Sequence, residues 1–376
     1  MRVLVVNTGS SSVKLRLLGP NDQLEAALDL EPWHGETESK ELTTFIERLG
    51  GIGAVGHRVV HGGGSFTEAT LVDDGVVKAL GALSDLAPLH QARALTAIEI
   101  VRGLLPEVPT VACFDTAFHA DLPPAAATYA LPSAWRTRFG LRRFGFHGLS
   151  HAYAARRVAA MLCSSAPGAA EKDTERLRVV SCHLGAGASL AAVHGGRCVD
   201  TTMGFTPMEG LVMATRPGNL DPGLVIWLLQ HGGVPLAEVA DKLEHAAGLA
   251  GLADLPHSSG DMRDVWLAAD AGDPRARLAL DVYIHRLRRE IAAMAAAMDG
   301  LDLLVFTGGI GEHHPAVREE TAAGLGFLGV RVDPGRNADA RGDADITAGG
   351  AHARTFVVTA REDLEIARQV RALLSD

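Results

Sequence analysis

One design occurs twice in this chain, about half its length apart: a short apolar run rich in β-branched residues, a glycine turn, and a second apolar run. Residues 3–6 lead into Asn7-Thr-Gly-Ser-Ser-Ser12 and then 13–18, while 177–182 lead into His183-Leu-Gly-Ala-Gly187 and then 188–193. Runs of this length with partial alternation read as strands, so each unit reads as a hairpin with an open, glycine-bearing tip. The repetition asks for an internally duplicated architecture with one phosphate loop in each half. At 376 residues the chain has apolar material for two buried cores.

The tips suggest what the halves handle. Gly185 and Gly187 can take positive φ and expose backbone N–H groups, the geometry that cradles phosphate oxygens, although a plain hairpin turn has the same residues. Lys14 lies just past the first turn, where an ammonium reaches a phosphate, and Asn7 offers an oxygen at the strand end. Arg216 stands alone in a Thr-Arg-Pro-Gly loop beside Glu209 and Asp221. Further on, a buried strand at 301–306 opens into Thr307-Gly-Gly-Ile-Gly-Glu-His313 and a helix from about 315, which reads as an anion or nucleotide site built from backbone dipoles. It lacks both the lysine of a P-loop and the spacing of a dinucleotide fingerprint.

Between these landmarks, helices are expected at 40–49, 74–83, 91–105, 152–162, 224–230, 236–245, 274–298 and 362–374, with 164–175 and 248–263 as loops. In the long alanine-rich helix, Leu278, Val282, Ile284, Leu287 and Ile291 read as core or subunit contact. Arg58 ends a strand that runs into three glycines, and reads either as a ligand arginine or as a surface ion pair. His57 and His61 flank it roughly 13 Å apart along an extended chain, too far to share a metal. Asp115 closes the strand at 110–115, where open α/β sheets place ligand chemistry, though aspartates also start ordinary turns. A Ser150 cap would leave His147 in the loop before its helix as a hydrogen-bond donor.

A formal net charge of −10 gives no footprint for nucleic acid or an anionic membrane, so positive charge must be gathered locally. Four cysteines without a C-x-x-C pair fit a reduced, cytoplasmic protein, and no apolar run approaches a signal peptide or a membrane span.

Seven stretches in order give the chain a family likeness: Val5-Val-Asn-Thr-Gly-Ser-Ser-Ser-Val-Lys14, His57-Arg-Val-Val-His-Gly-Gly63, Leu86-Ala-Pro-Leu-His90, Phe114-Asp-Thr-Ala-Phe-His119, Phe144-Gly-Phe-His-Gly148, Asp200-Thr-Thr-Met-Gly-Phe-Thr-Pro207 and Thr307-Gly-Gly-Ile-Gly-Glu312. Together they resemble the acetate kinase family, of the superfamily that includes sugar kinases, actin and the chaperone ATPases. The resemblance implies an α/β fold of two ribonuclease-H-like domains flanking a nucleotide cleft, divided as 1–117 plus 364–376 and 118–363. It also implies a homodimer and reversible phosphoryl transfer from ATP to acetate, giving acetyl phosphate and ADP, with Mg²⁺ or Mn²⁺.

By the same resemblance Arg58 binds acetate, Asp115 is the active-site carboxylate, and His147 and Arg216 stabilise the transition state. Asn7 and Glu362 serve the metal. The substrate pocket takes Val60, Leu89, His90, Phe146 and Pro207, and the nucleotide takes Ser10, Ser12, Lys14, His183, Gly185, Gly187, Asp261, Met262, Arg263, Gly309, Ile310, Gly311, Glu312 and His313. Ala186 replaces a usual Asn, Gln91-Ala a usual Asn-Pro, and Pro217 a usual Ser, and the chain is short for the family between 20 and 45. Propionate is the rival substrate. A non-catalytic ATP-driven switch is the rival from another class, since fold alone does not decide function.

Overall fold

The computed structural model describes residues 1–9, 12–30, 38–86, 88–165 and 176–375; the side chains of 38, 39, 86, 88–90, 164 and 165 lie outside the description. Each hairpin read from the sequence forms one side of a six-stranded mixed sheet. In the first, β1 (Val3–Thr8), β2 (Val13–Leu18) and β3 (Leu24–Leu30) run antiparallel. Next come β4 (Ala54–Val59), parallel to β1, and β6 (Thr110–Phe114), parallel to β4, with the two-residue β5 (Thr70–Leu71) antiparallel at the edge. The order is β3-β2-β1-β4-β6-β5.

The second sheet repeats this strand for strand. Its strands β7 (Arg178–Leu184), β8 (Ala188–His194) and β9 (Arg197–Thr201) are antiparallel. Parallel β10 (Leu303–Thr307) and β12 (Arg354–Val357) follow, with the short β11 (Ala344–Asp345) at the edge. Read from the opposite edge its order is β9-β8-β7-β10-β12-β11. The duplication expected from two hairpins therefore extends through all six strands. Packing divides the chain into two compact units, one of Met1–Ala120, Phe146–Tyr153 and Arg361–Asp376, the other of Asp121–Gly145 and Ala154–Ala360.

Parallel central strands are covered on both faces, which is why β1 and β6 are almost continuously apolar. Leu4 and Val6 face Leu42, Ile46, Ala97 and Val101, from helices Glu38–Glu47 and Pro88–Leu104. On the other face, Val3 and Val5 pack with Ile366, Ala367 and Val370 of helix Glu362–Leu373. Gly56 permits that approach: a Cβ there would lie 2.5 Å from an Ile366 methyl and 2.7 Å from one of Val370. In the second unit, helix Pro274–Ala296 starts at an Asp273 cap and buries Leu280, Tyr283, Ile284, Leu287, Ile291 and Met294. Leu278 of that helix faces outward, 55% exposed.

Local expectations are corrected in five places. Helix Gly148–Ser165 begins before Ser150, because the Gly148 N–H donates to the Asp115 carbonyl and the His151 N–H to that of His147, closing the first turn. The stretch 248–263 contains helix Gly248–Ala253, and Asp261 caps helix Met262–Asp270 by accepting from the Arg263 N–H. Residues Gly308–His313 form a short helix of their own ahead of Pro315–Ala323. Gly185 and Gly187 turn without positive φ; the Gly185 N–H closes the tip on the Gly187 carbonyl at 2.9 Å. Within the expected loop 164–175, residues 164 and 165 end the preceding helix and 166–175 lie outside the described residues.

Candidate active site

In the first unit three parallel strands bring charged and amide groups to their carboxyl ends, as the strand register requires. Asn7 and Arg58 lie one residue short of the ends of β1 and β4, and Asp115 follows β6; Val6 pairs with His57 and Arg58 with Cys113. Glu362, 355 residues from Asn7 in sequence, opens the last helix and completes the group.

Arg58 Nη2 lies 2.7 Å from Asp115 Oδ2 and its Nε 3.1 Å from Oδ1, a forked pair that suits a planar guanidinium. Its Nη1 donates to Asn7 Oδ1 at 3.2 Å and lies 3.4 Å from Glu362 Oε2, while Asn7 Nδ2 donates to the same Glu362 oxygen at 2.7 Å. Burial works against the Arg58 charge, yet Asp115 and Glu362 outweigh it and raise its pKa. Burial also raises the pKa of Asp115, against the pull of Arg58. With Asp115 and Glu362 ionised, two carboxylates face one guanidinium and the group carries a formal excess of one negative charge. That excess, with hard oxygen donors on Asn7, Asp115 and Glu362, fits a Mg²⁺-like cation, which binds one or two carboxylates and keeps water and phosphate oxygens as its other ligands. Among the described residues no group of three or more His, Cys, Asp and Glu that could hold a metal ion occurs.

The His147 backbone N–H also bonds the Asp115 carboxylate, and His147 itself holds a left-handed φ of 57°. Gly148 follows because a Cβ there would collide with the Asp115 carbonyl. Phe146 and Val60 are buried. The Phe146 ring meets His61 edge-on at 5.4 Å, and its carbonyl hydrogen bonds the buried His119 ring at 3.0 Å. Lys14 is exposed opposite Asn7 in the hairpin, and the Ser12 carbonyl accepts from the Gly9 N–H. Ser10 and the side chains of Leu89 and His90 lie outside the described residues. Gln91 is buried and donates to the carbonyls of His61 and Leu80, so this departure has a structural task of its own.

The second unit assembles the other set. Thr307 pairs with His183, which puts the β7–β8 tip and helix Gly308–His313 at one end of the sheet. Gly308 takes a φ of 78°, and a Cβ there would stand 2.8 Å from the Leu184 carbonyl. The Ala186 carbonyl accepts from the Ala214 N–H at 3.0 Å, so the residue in place of the usual Asn ties the tip to the Arg216 loop through its backbone. Arg216 donates to the Pro207 carbonyl at 3.2 Å, and burial lowers its pKa while Glu244 opposes. Among the described residues no carboxylate forms an ion pair with it.

The acids beside Arg216 in sequence are used elsewhere. Asp221 caps helix Pro222–Gln230. Glu209 binds Arg143 at 2.7 Å and Tyr129 at 2.5 Å, while Arg143 also donates to the carbonyls of Thr202 and Met203. This network frames the loop that carries Pro207. Sequence reasoning named Glu209 only as a neighbour of Arg216 and missed Arg143 and Tyr129; it also missed Arg318, which is 1% exposed and donates to the carbonyls of Gly311 and Glu312 and to Asn337. Nothing local distinguishes such arginines from solvated ones. Asp261 and Arg263 pair at 2.6 Å with Arg263 exposed, whereas the Met262 side chain is buried.

Residues 36–368 match the model of the acetokinase family. The chain belongs to this family. An acetate kinase of Synechococcus sp. is 46% identical over 342 residues, covering 91% of this chain and 80% of that protein. The crystal structure of the acetate kinase of Porphyromonas gingivalis superposes with a TM-score of 0.87 at 33% identity, covering 99% of both chains. A propionate kinase of Francisella tularensis superposes with a TM-score of 0.86 at 32% identity, covering 98% of both. Membership of the acetokinase family accounts for the paired six-stranded sheets and makes the chain a kinase.

Proposed function

We propose that this chain catalyses reversible transfer of the γ-phosphoryl group of ATP to acetate, giving acetyl phosphate and ADP, with Mg²⁺ or Mn²⁺. The observation that carries this reading is the acetokinase family match across residues 36–368. In the reaction an acetate oxygen attacks the γ-phosphorus as the bond from that phosphorus to the β,γ-bridging oxygen breaks, and ADP leaves with the electron pair. Acetate, with a pKa near that of a glutamate side chain at about 4.3, is already ionised at neutral pH, so no general base is required. The obstacle is bringing one anion onto another, and catalysis of such transfers is mostly positioning and charge stabilisation.

Arg58 and Arg216 supply positive charge, and a guanidinium suits carboxylate and phosphoryl oxygens. Asp115 acts as the orienter of Arg58, since its forked contact fixes the plane of the guanidinium. His147, with its backbone anchored on Asp115, donates from its ring to an equatorial oxygen of the transferring group. Asn7, Asp115 and Glu362 would hold the cation, which when bound supplies charge neutralisation to the phosphates. Lys14, His183, the two glycine turns and Asp261 to Arg263 serve the nucleotide. Trapping acyl phosphate as a hydroxamate over a panel of short acids tests the activity; no hydroxamate from any acid sinks it.

Propionate is the alternative that the Francisella neighbour keeps in view. Val60 and Phe146, both buried in the first unit, are assigned to the acyl methyl group. An added CH₂ gains about 0.8 kcal/mol where space exists, but overpacking costs roughly 1–3 kcal/mol. Acetate should therefore be preferred over propionate, and Val60→Ala should raise kcat/KM for propionate relative to acetate. An unchanged ratio removes Val60 from the pocket.

The active molecule is a cytoplasmic homodimer in this reading. Helix Pro222–Gln230 buries none of its residues and exposes Ile226 and Trp227 by half or more, which is unusual for a monomer surface. We assign a second copy of the chain to that face. Trp227→Asp should convert a dimer to a monomer in sedimentation velocity; a wild type that sediments as a monomer excludes the assignment.

A further inference from the structure

Glu312 stands in the turn that the family likeness gives to the nucleotide, yet its carboxylate is occupied by the protein's own backbone. Oε1 accepts from the Gly308 N–H at 3.0 Å and from the Ala360 N–H at 2.9 Å. The first bond crosses the mouth of the turn after β10. The second reaches the segment that leaves β12, 48 residues further on. That segment is pinned residue by residue: the Val358 N–H donates to the Phe306 carbonyl, the Thr359 N–H to Asp343 Oδ1, and the Ala360 N–H to Glu312, each at 2.9 Å. Two residues beyond Ala360 lies Glu362, the proposed cation ligand. The turn has a separate brace underneath, where Arg318 Nη1 holds the carbonyls of Gly311 and Glu312 at 2.9 Å. The Glu312 main chain is thus fixed by Arg318, while its side chain is free to act as a tie between Gly308 and Ala360.

We propose that Glu312 is a positioning residue whose side-chain oxygen locks the nucleotide turn onto the residues that lead to Glu362, and that it makes no direct contact with phosphate. The proposal rests on the nucleotide reading of the 308–313 turn. Two backbone N–H groups need an acceptor oxygen, not a charge, so an amide should serve nearly as well as a carboxylate. Without the tie the turn relaxes in the free protein, and binding must restore it at the expense of affinity.

The test is calorimetric titration of the purified full-length protein with ADP in the absence of divalent metal, alongside steady-state kinetics. Glu312→Ala should weaken ADP binding by about tenfold, the scale of one ordinary hydrogen bond or more, while Glu312→Gln stays within about threefold of wild type. The KM for ATP should follow the same order while the KM for acetate does not move. A carboxylate that faced phosphate directly would repel it, so tighter ADP binding by both variants overturns the proposal. Equal weakening in Ala and Gln overturns it too, as does an unchanged affinity in Ala. Should Glu312→Ala fail to fold, Glu312→Asp carries the same arm, because its oxygen is withdrawn by one methylene from both N–H groups. Absence of ADP binding in the wild type, by contrast, sinks the nucleotide reading on which the proposal rests.

Discussion

Arg216→Ala should lower kcat by about 100-fold or more with almost no change in the unfolding midpoint. The chemical loss is that of a donor aimed at charge developing in the transition state. Stability should be spared because the folded protein gains little from this side chain: it makes one hydrogen bond to the Pro207 carbonyl, and its burial disfavours the charged form. A half-buried guanidinium kept at such cost is intelligible if an anion completes it. Arg216→Lys should not restore activity, since a point charge cannot reproduce a planar fork. Near-normal kcat in Arg216→Ala, with native circular dichroism, would remove Arg216 from the reaction.

Arg58→Ala should abolish activity as well, but with a different signature. Here the arginine is the counter-charge of Asp115, whose side chain is 1% exposed, and of Glu362. Removing one partner of a buried ion pair costs roughly 3–5 kcal/mol, because a charge is left without compensation. Denaturant titration should therefore show a large loss of stability in Arg58→Ala that Arg216→Ala lacks. Adding Asp115→Asn should recover much of that stability, since it removes a stranded charge, while activity stays absent. If the single variant is as stable as wild type, the charge cluster is not held as described. If the double variant regains activity, Arg58 and Asp115 have no part in the chemistry.

Arg58 and Arg216 differ from their partners in how far local sequence specifies them. Both were identifiable from local sequence, one between apolar residues and a run of glycines, the other in a loop of Thr, Pro and Gly. Their partners were not. Glu209 and Asp221, the acids nearest Arg216 in the chain, bind Arg143 and cap a helix instead.

Sequence alone determined the two hairpins, the duplication they implied, most helices, and the family, because periodicity, turn chemistry and motif order are local properties of the chain. Residues expected at strand ends, Asn7, Arg58 and Asp115, are there for the same reason: a run of β-branched residues fixes where a strand stops. Only the tertiary structure decided that all six strands repeat, that Asp115 grips Arg58 while Glu362 arrives from the far end of the chain, and that Glu312 ties Gly308 to Ala360. It likewise started helix Gly148–Ser165 ahead of its serine, through the Asp115 carbonyl. Such pairings join residues tens to hundreds of positions apart, and what selects them is the need to satisfy buried charges and backbone donors once strands and helices have packed.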